Sequence, residues 1–237
     1  MDIGFVCILD VLGVKGIYKR MDPKAFINTM KEIERFITRL QQNNAISYET
    51  EFISDTMIFT SFPKKQLTDR NNYIEFLRNM TLFAELISSV VAVGVTFKIP
   101  FRGAMSCNKL IKDGHYIVGP AIDIAAMEYE KTDWIGVHSA PDLNLMIKEN
   151  INVLMLEKDR FSFIEYDVPF KEKIEKRYSI NWLKPLIKIG NGYSPKDFVH
   201  LNLSELQNLD PQNVNNGKIR IKYDNTRSYI DYCLLNT

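Results

Sequence analysis

Two aspartates stand at comparable positions of this 237-residue chain, each at the end of an apolar stretch. Asp10 closes such a run in residues 5–13 (FVCILDVLG). Asp55 lies in the turn of residues 51–61 (EFISDTMIFTS), whose apolar residues predict the two arms of a buried hairpin. Taken singly, each aspartate is typical of a strand end or a turn, where its carboxylate bonds nearby backbone amides.

Taken together, the two aspartates predict a metal site. Adjacent central strands would bring both carboxylates to the same end of one sheet, where they repel each other unless a cation separates them, and no arginine lies nearby in the sequence. Carboxylate oxygens suit Mg²⁺ or Mn²⁺, and two such ions about 3.5–4 Å apart serve phosphoryl chemistry. The three histidines, His115, His138 and His200, are isolated, which disfavours a zinc site or a Ser-His-Asp arrangement.

The elements that must position these aspartates alternate as β-α-ββ-α-β-α-β. Asp22 and Pro23 provide the N-cap and first position of a helix with apolar residues at helical spacing. We therefore predict an α+β fold with a mixed or antiparallel sheet covered by helices on one face. The further segments are a helix ending near Gly94, a strand at 100–107, a helix at 120–131, a strand at 134–140 and a helix at 141–150.

After about residue 150 the sequence signals are weaker. Residues 153–156 and 161–168 resemble short strands, 194–197 a helix start, and 224–235 a terminal helix. We predict a catalytic core in residues 1–150 and a C-terminal elaboration of the same domain in residues 151–237.

Composition limits the possible partners. The formal net charge is +1, so no strong field attracts nucleic acid or an anionic membrane surface. The apolar run 83–97 is interrupted by Glu85 and Gly94 and is shorter than a membrane span, and no signal peptide is visible. The three cysteines, Cys7, Cys107 and Cys233, lack metal-ligand spacing. We expect reduced thiols in a cytoplasmic protein without stable membrane association.

Several segments, in their order and spacing, carry a family resemblance: FVCILDVLGVKG (5–16), FISDTMIF (52–59), PFRGAM (100–105), YIVGPAIDIAAMEYE (116–130) and WIGVHSA (134–140). This set resembles the class III nucleotidyl cyclases, which have a ferredoxin-like βαββαβ core. It is most similar to the pyrimidine-specific branch, the uridylate and cytidylate cyclases of bacterial Pycsar anti-phage signalling. SINWLKP (179–185) is similar to the C-terminal portion of that branch.

The resemblance implies a homodimer with active sites at its interface. Each site would convert a nucleoside triphosphate, UTP in preference to CTP, to a 3′,5′-cyclic monophosphate and pyrophosphate, and the product would activate a separate effector. Asp10, Asp55 and the carbonyl of Val11 would hold two Mg²⁺ or Mn²⁺ ions. Backbone amides of the turn at Leu12 and Gly13, together with Lys15, would bind the triphosphate.

The sequence also departs from the purine cyclases. Asp123 and Met127 stand where those enzymes carry an Asn and an Arg on a helix; we expect Asp123 to contact the substrate and Arg102 to replace the arginine. The alternative for Arg102 is a salt bridge to Glu128 or to a metal-site aspartate. Glu51 and Phe52 replace the lysine that selects purines, and Phe52 either stacks on the smaller base or belongs to the core.

Two other classes of function compete with the enzyme. A cyclase-like module that has lost catalysis would serve only in dimerisation or ligand sensing. A polymerase-like palm domain shares the two-carboxylate arrangement, but the neutral charge balance disfavours it.

Overall fold

The fold is described from a computed structural model, which covers residues 1–12, 22–43, 47–62, 70–189, 197, 200, 204 and 217–236. The strands are β1 (Asp2–Val11), β2 (Glu49–Ile53), β3 (Thr56–Ser61), β4 (Phe101–Asp113), β5 (Tyr116–Val118), β6 (Gly136–Ser139), β7 (Phe163–Pro169) and β8 (Ile174–Ile180). The helices are α1 (Pro23–Asn43), α2 (Arg70–Thr96), α3 (Pro120–Glu128), α4 (Pro141–Leu154), α5 (Leu183–Ile189) and α6 (Gly217–Leu235). The predicted α+β class is confirmed.

One mixed sheet organises these elements. Its strand order is β2-β3-β1-β4-β6-β8-β7, and β5 pairs with β4 beside this path. β1 is central and antiparallel to both β3 and β4, whereas β4 and β6 are parallel. β7 and β8, which follow residue 150, extend the same sheet. The boundary between core and elaboration stays a prediction.

The two faces of the sheet are covered by different elements. Alternate β1 residues (Phe5, Cys7, Leu9 and Val11) belong to the large core with α1, α2, α4, α5 and α6. Val6 and Ile8 face the other way and pack against Ala121 and Ala125 of α3. The expectation of helices on one face only was therefore wrong, because α3 crosses to the opposite face, which we call the α3 face.

Local signals predicted most element starts. Asp22 caps α1 as expected, with its carboxylate accepting a hydrogen bond from the Lys24 amide at 3.1 Å. Residues 153–156 complete α4 and a following 3₁₀ turn, so the strand predicted there was wrong. The predicted helix start at 194–197 lies outside the described residues except for Asp197. The three cysteines are free, as predicted, and all three are buried, Cys233 on a helix rather than a strand.

The hairpin around Asp55 is only half buried. Met57 and Phe59 on β3 are fully buried, but Phe52 and Ile53 on β2 are 38% and 60% exposed. The predicted burial of both arms was wrong because β2 is the edge strand and has a neighbour on one side only.

α2 is long and apolar enough to cross a membrane. Of its most apolar 18-residue window, however, 72% is buried inside the protein, and Phe76 stacks on Phe5 of β1 with ring centroids 4.7 Å apart. A helix that is apolar on most sides is also what the core of a folded domain requires. α2 packs as the central core helix.

Candidate active site

Asp10 lies near the C-terminal end of β1, between β3 and β4. Its cross-strand neighbours are Thr56 on β3 and Arg102 on β4. Residues directly opposite in antiparallel strands share a face and have Cβ atoms about 4.5–5.5 Å apart. The register therefore brings together three side chains that are far apart in the sequence.

Arg102 forms an ion pair with Asp10. Its Nε and Nη2 atoms both donate to Oδ2 of Asp10, at 3.1 and 2.9 Å. Both side chains are only 13% exposed. The second alternative for Arg102, a salt bridge to a metal-site aspartate, is thus present in this structure. The sequence showed no arginine near either aspartate because Arg102 is supplied by the register of β4.

Gly103 allows β4 to approach β1 closely beside this pair. A Cβ atom at Gly103 would clash with the carbonyl oxygen of Ile8, so a larger residue would push the two strands apart. The glycine after Arg102 thereby keeps the guanidinium within reach of Asp10.

Asp55 lies in the β2–β3 turn, next to the end of β1. Its carbonyl accepts a hydrogen bond from the Val11 amide at 3.2 Å. The preceding residue, Ser54, has φ of 60°, which closes the turn tightly. Asp10 and Asp55 are thus brought to the same end of the sheet, and we call these two residues with Arg102 the carboxylate cluster.

The charge balance of the cluster favours a further cation. Burial raises the pKa of the Asp10 carboxyl, and the hydrogen bonds and charge of Arg102 lower it. The charges of Asp55 and Glu130 raise it again, and the net shift is upward. The ionised form of Asp10 is therefore incompletely compensated by Arg102 alone.

The residues present fit part of the ligand set of a Mg²⁺ or Mn²⁺ site. Asp10 and Asp55 supply hard oxygen donors, and the only hydrogen bond to Oδ1 of Asp10 among the described residues is a long one from Thr56, at 3.4 Å. Over the described part of the chain, no three His, Cys, Asp or Glu side chains cluster in a way that would hold a metal without help. Backbone, water or phosphate oxygens would have to supply the remaining ligands.

The predicted triphosphate turn is only partly described. The Leu12 amide donates to the carbonyl of Pro100 at 2.8 Å, so it is already engaged and does not fit the predicted phosphate contact in this state. Gly13 and Lys15 lie outside the described residues, and their roles stay predictions.

Phe52 and Asp123 lie apart from the carboxylate cluster within one chain. Phe52 pairs with Met57, whose side chain is in the large core, so Phe52 is on the face opposite to Asp10. Asp123 is exposed on the first turn of α3, whereas the chain after the other end of α3 approaches Arg102.

Sequence reasoning missed Thr56 and Glu130. Thr56 contacts Asp10 as described, and its position directly after Asp55 was the available signal. The Glu130 carbonyl accepts a hydrogen bond from Nη1 of Arg102 at 3.4 Å, and its carboxylate lies 3.9 Å from Nη2. No local pattern predicts that contact, since it depends on the packing of α3 across the sheet.

No family model and no curated protein sequence matches this chain. Solved structures with a similar fold are catalytic domains of nucleotide cyclases. One is the catalytic core of a rhodopsin-guanylyl cyclase with converted specificity in complex with ATPαS (TM-score 0.51, 13% identity, 76% of this chain and 95% of that chain). Another is a dimeric guanylyl cyclase domain of the RhoGC fusion protein from the aquatic fungus Blastocladiella emersonii, with a TM-score of 0.52, 13% identity and coverage of 76% of this chain and 96% of that chain.

A monomeric guanylyl cyclase domain of the same fungal RhoGC protein is also similar, with a TM-score of 0.50, 15% identity and coverage of 76% of this chain and 94% of that chain. At such low identity these likenesses concern the fold. The chain has the nucleotide cyclase fold.

Proposed function

We propose that this chain is a metal-dependent nucleotidyl cyclase that converts a nucleoside triphosphate to its 3′,5′-cyclic monophosphate and pyrophosphate. The observation that carries the proposal is the convergence of Asp10 and Asp55 at one end of the central strands, beside Arg102, within the cyclase fold. Phosphoryl transfer needs positioned metal ligands and a cation for the developing charge, and the carboxylate cluster offers both.

Each residue of the cluster has a distinct proposed role. Asp10 and Asp55, with the carbonyl of Val11, would hold two Mg²⁺ or Mn²⁺ ions. When bound, such ions activate the ribose 3′-hydroxyl and neutralise the phosphates. Arg102 would release Asp10 as the site fills and direct its guanidinium to the phosphates, with Gly13 and Lys15 as further phosphate contacts.

We propose a pyrimidine substrate, UTP in preference to CTP. This proposal rests on the resemblance to the pyrimidine cyclases and on Glu51 and Phe52 in place of a purine-selecting lysine. Glu51 is held by Lys112 and His115 at 2.9 and 2.8 Å. By the same resemblance, the cyclic nucleotide would act on a separate effector in anti-phage defence. The near-neutral charge and the unpaired cysteines favour a cytoplasmic protein that binds neither nucleic acid nor a membrane.

We propose a homodimer that builds the complete site. Apolar side chains are exposed near the carboxylate cluster and on α3 and β5: Ile53 at 60%, Met127 at 67%, Val118 at 60% and Tyr116 at 80%. A second copy would cover them and would bring an Asp123 toward the first copy's Asp10. Mixing inactive Asp10→Ala and Asp123→Ala proteins should then restore activity. Asp10→Ala mixed with Arg102→Ala should not, since these two residues lie side by side in one chain.

A cyclase-like module without catalysis is the second candidate. The observation in its favour is that Met127 stands in place of a helix arginine while Arg102 is occupied by Asp10. The deciding experiment incubates the purified protein with each of the four nucleoside triphosphates and Mn²⁺ and resolves cyclic products by mass spectrometry. Cyclic UMP as the main product supports the enzyme; no cyclic product from any of the four supports the module.

A further inference from the structure

We infer that Lys222, on the C-terminal helix α6, is a second phosphate-binding cation beside the carboxylate cluster, which contacts the triphosphate and the pyrophosphate that leaves. The inference rests on the proposed function and gives the C-terminal helix a part in it.

One segment of chain, residues 130–136, lies between Arg102 and Lys222. At its start, the Glu130 carbonyl accepts a hydrogen bond from Arg102, and at its end Gly136 is the direct neighbour of Arg102 in the parallel pairing of β4 and β6. In its middle, Oδ1 of Asp133 lies 4.0 Å from Nζ of Lys222. The two cations therefore flank the same short segment.

α6 is fixed to this segment by two hydrogen bonds. The side-chain amide of Asn225 donates to the Asp133 carbonyl at 2.8 Å. The Ile135 amide donates to Oγ1 of Thr226 at 2.9 Å, and Thr226 is fully buried. Lys222 lies one helical turn before Thr226 on the same helix face. Its position relative to Arg102 is thus determined by buried contacts.

Lys222 is half-buried among charges of both signs, two acidic and two basic. Burial is the largest influence on the pKa of Lys222 and lowers it. The negative charges of Asp133 and Asp10 raise this pKa, whereas the positive charges of Arg102 and Lys171 lower it. The charges of Arg102 and Asp10 thus reach Lys222. The Asp133 contact, at 4.0 Å, is too long for a direct hydrogen bond. An anion between Lys222 and Arg102 would pair with both cations.

A polyphosphate has the chemistry that this pair of cations would recognise. Lysine binds phosphate as a point charge, and its flexible stem follows an anion that moves. During cyclisation negative charge grows on the departing pyrophosphate, and a cation placed there stabilises that charge. We assign Lys222 to the pyrophosphate end and Arg102 to the transferred phosphate.

The test is calorimetric binding of inorganic pyrophosphate with Mg²⁺ to the full chain. Lys222→Met should weaken binding by about tenfold or more, as expected for a lost charge-assisted contact, and Lys222→Arg should retain most of the affinity. The matched control is Arg220→Met on the same helix, which removes an equal charge from a 75% exposed side chain paired with Asp224. Affinities of Lys222→Met and Arg220→Met within twofold of the unsubstituted protein would overturn the assignment, as would failure of that protein to bind pyrophosphate.

Asp133→Asn separates phosphate binding from a structural ion pair. If Lys222 only anchors α6 through Asp133, Asp133→Asn should weaken pyrophosphate binding as Lys222→Met does, and that result would overturn the assignment. If Lys222 binds phosphate, Asp133→Asn frees its ammonium and binding should tighten; unchanged binding would overturn the assignment even if Lys222→Met does not fold. Turnover of nucleoside triphosphates is measured separately. If pyrophosphate binding depends on Lys222 but no cyclic product forms, the proposed cyclase activity is rejected and the phosphate-binding role of Lys222 is supported.

Discussion

Two clusters of opposite charges lie on the α3 face, and they differ in how fully their cations are used. In the first, which we call the hairpin cluster, Nζ of Lys112 donates to Glu49 at 2.6 Å, to Glu51 at 2.9 Å and to the Gly114 carbonyl at 2.5 Å. An ammonium has three donors, so Lys112 has none left. Its side chain is 5% exposed. His115 completes the cluster through Glu51.

The carboxylate cluster, by contrast, keeps unused capacity. A guanidinium has five N–H donors, and the hydrogen bonds of Arg102 among the described residues use three, two of them on a single oxygen of Asp10. Arg102 can therefore exchange its partner for a phosphate, whereas Lys112 fixes the β4–β5 hairpin onto β2. The comparison teaches that two buried cations of one sheet face differ in their hydrogen bonding: that of Lys112 is complete, whereas Arg102 keeps donors for the phosphate contact proposed above.

The largest expected effect comes from removing either carboxylate. Asp10→Ala and Asp55→Ala should each lower turnover by roughly 10³-fold or more, beyond the usual cost of one lost hydrogen-bond donor, because each removes a proposed metal ligand. Circular dichroism should show an unchanged fold. The control is Asp167→Asn, an exposed carboxylate on β7. Normal turnover in either alanine variant would remove the metal assignment.

Arg102→Ala should lower kcat by about 10²–10³-fold with a smaller change in KM, because the lost guanidinium acts mainly on the transition state. It should also lower stability by about 1–3 kcal/mol, since Asp10 loses its buried partner. Mn²⁺ should narrow that stability difference by replacing the lost cation. Thermal unfolding with and without Mn²⁺, alongside single-turnover rates, measures both effects.

Arg102→Lys is the matched variant. It keeps the charge but loses the planar fork, so we expect intermediate turnover. If Arg102→Ala is less stable yet turns over normally, Arg102 is a structural cation, as Lys112 is. The two clusters would then have the same role.

Local sequence signals predicted the elements that carry both clusters. The Asp22-Pro23 start of α1 and the proline-led starts of α3 and α4 were predictable because caps act within one turn. The position of Asp10 near the end of β1 and the turn at Asp55 were predictable from where the apolar runs stop. These features depend on neighbours in the sequence.

Pairings across the sheet were not predictable in the same way. The Asp10–Arg102 contact depends on the register between β1 and β4, and the Lys112 contacts depend on β4 extending far enough to reach β2. Neither the register between β1 and β4 nor the length of β4 is encoded in a local sequence pattern. The exposure of Phe52 was missed for a related reason, because edge and central strands have similar composition when read singly.

Lys112→Met should affect stability more than turnover. It leaves Glu49 and Glu51 without their shared cation, and we expect a loss of about 1–3 kcal/mol in the free energy of unfolding. Turnover of the folded protein should stay within about threefold, less than one lost catalytic donor costs. Lys109→Met, at an exposed position of the same strand, is the control for chemical denaturation. A 10²-fold loss of turnover at unchanged stability would make Lys112 a functional cation.

The smallest expected effect is the contribution of the hairpin cluster to the pH dependence of stability. The hydrogen bonds of His115 and Lys112 lower the pKa of Glu51 below its usual value of 4.5. A carboxyl group with a lower pKa in the folded state contributes stability above its unfolded pKa and loses it as the pH falls through the folded value. The protein should therefore lose stability below about pH 4.5, and Glu51→Gln should flatten this part of the profile.

The change at Glu51 should amount to less than about 1 kcal/mol, since ion pairs that water reaches are screened. Glu49→Gln provides the comparison, because Glu49 binds the same lysine but its side chain is 62% exposed, against 20% for Glu51. Unfolding free energies from pH 6 to pH 3 should show a flatter slope for Glu51→Gln than for Glu49→Gln. Equal slopes would mean that Glu51 contributes no more to the pH dependence of stability than the exposed Glu49 does. The pairing of Glu51 with Lys112 and His115 would then not stabilise the hairpin.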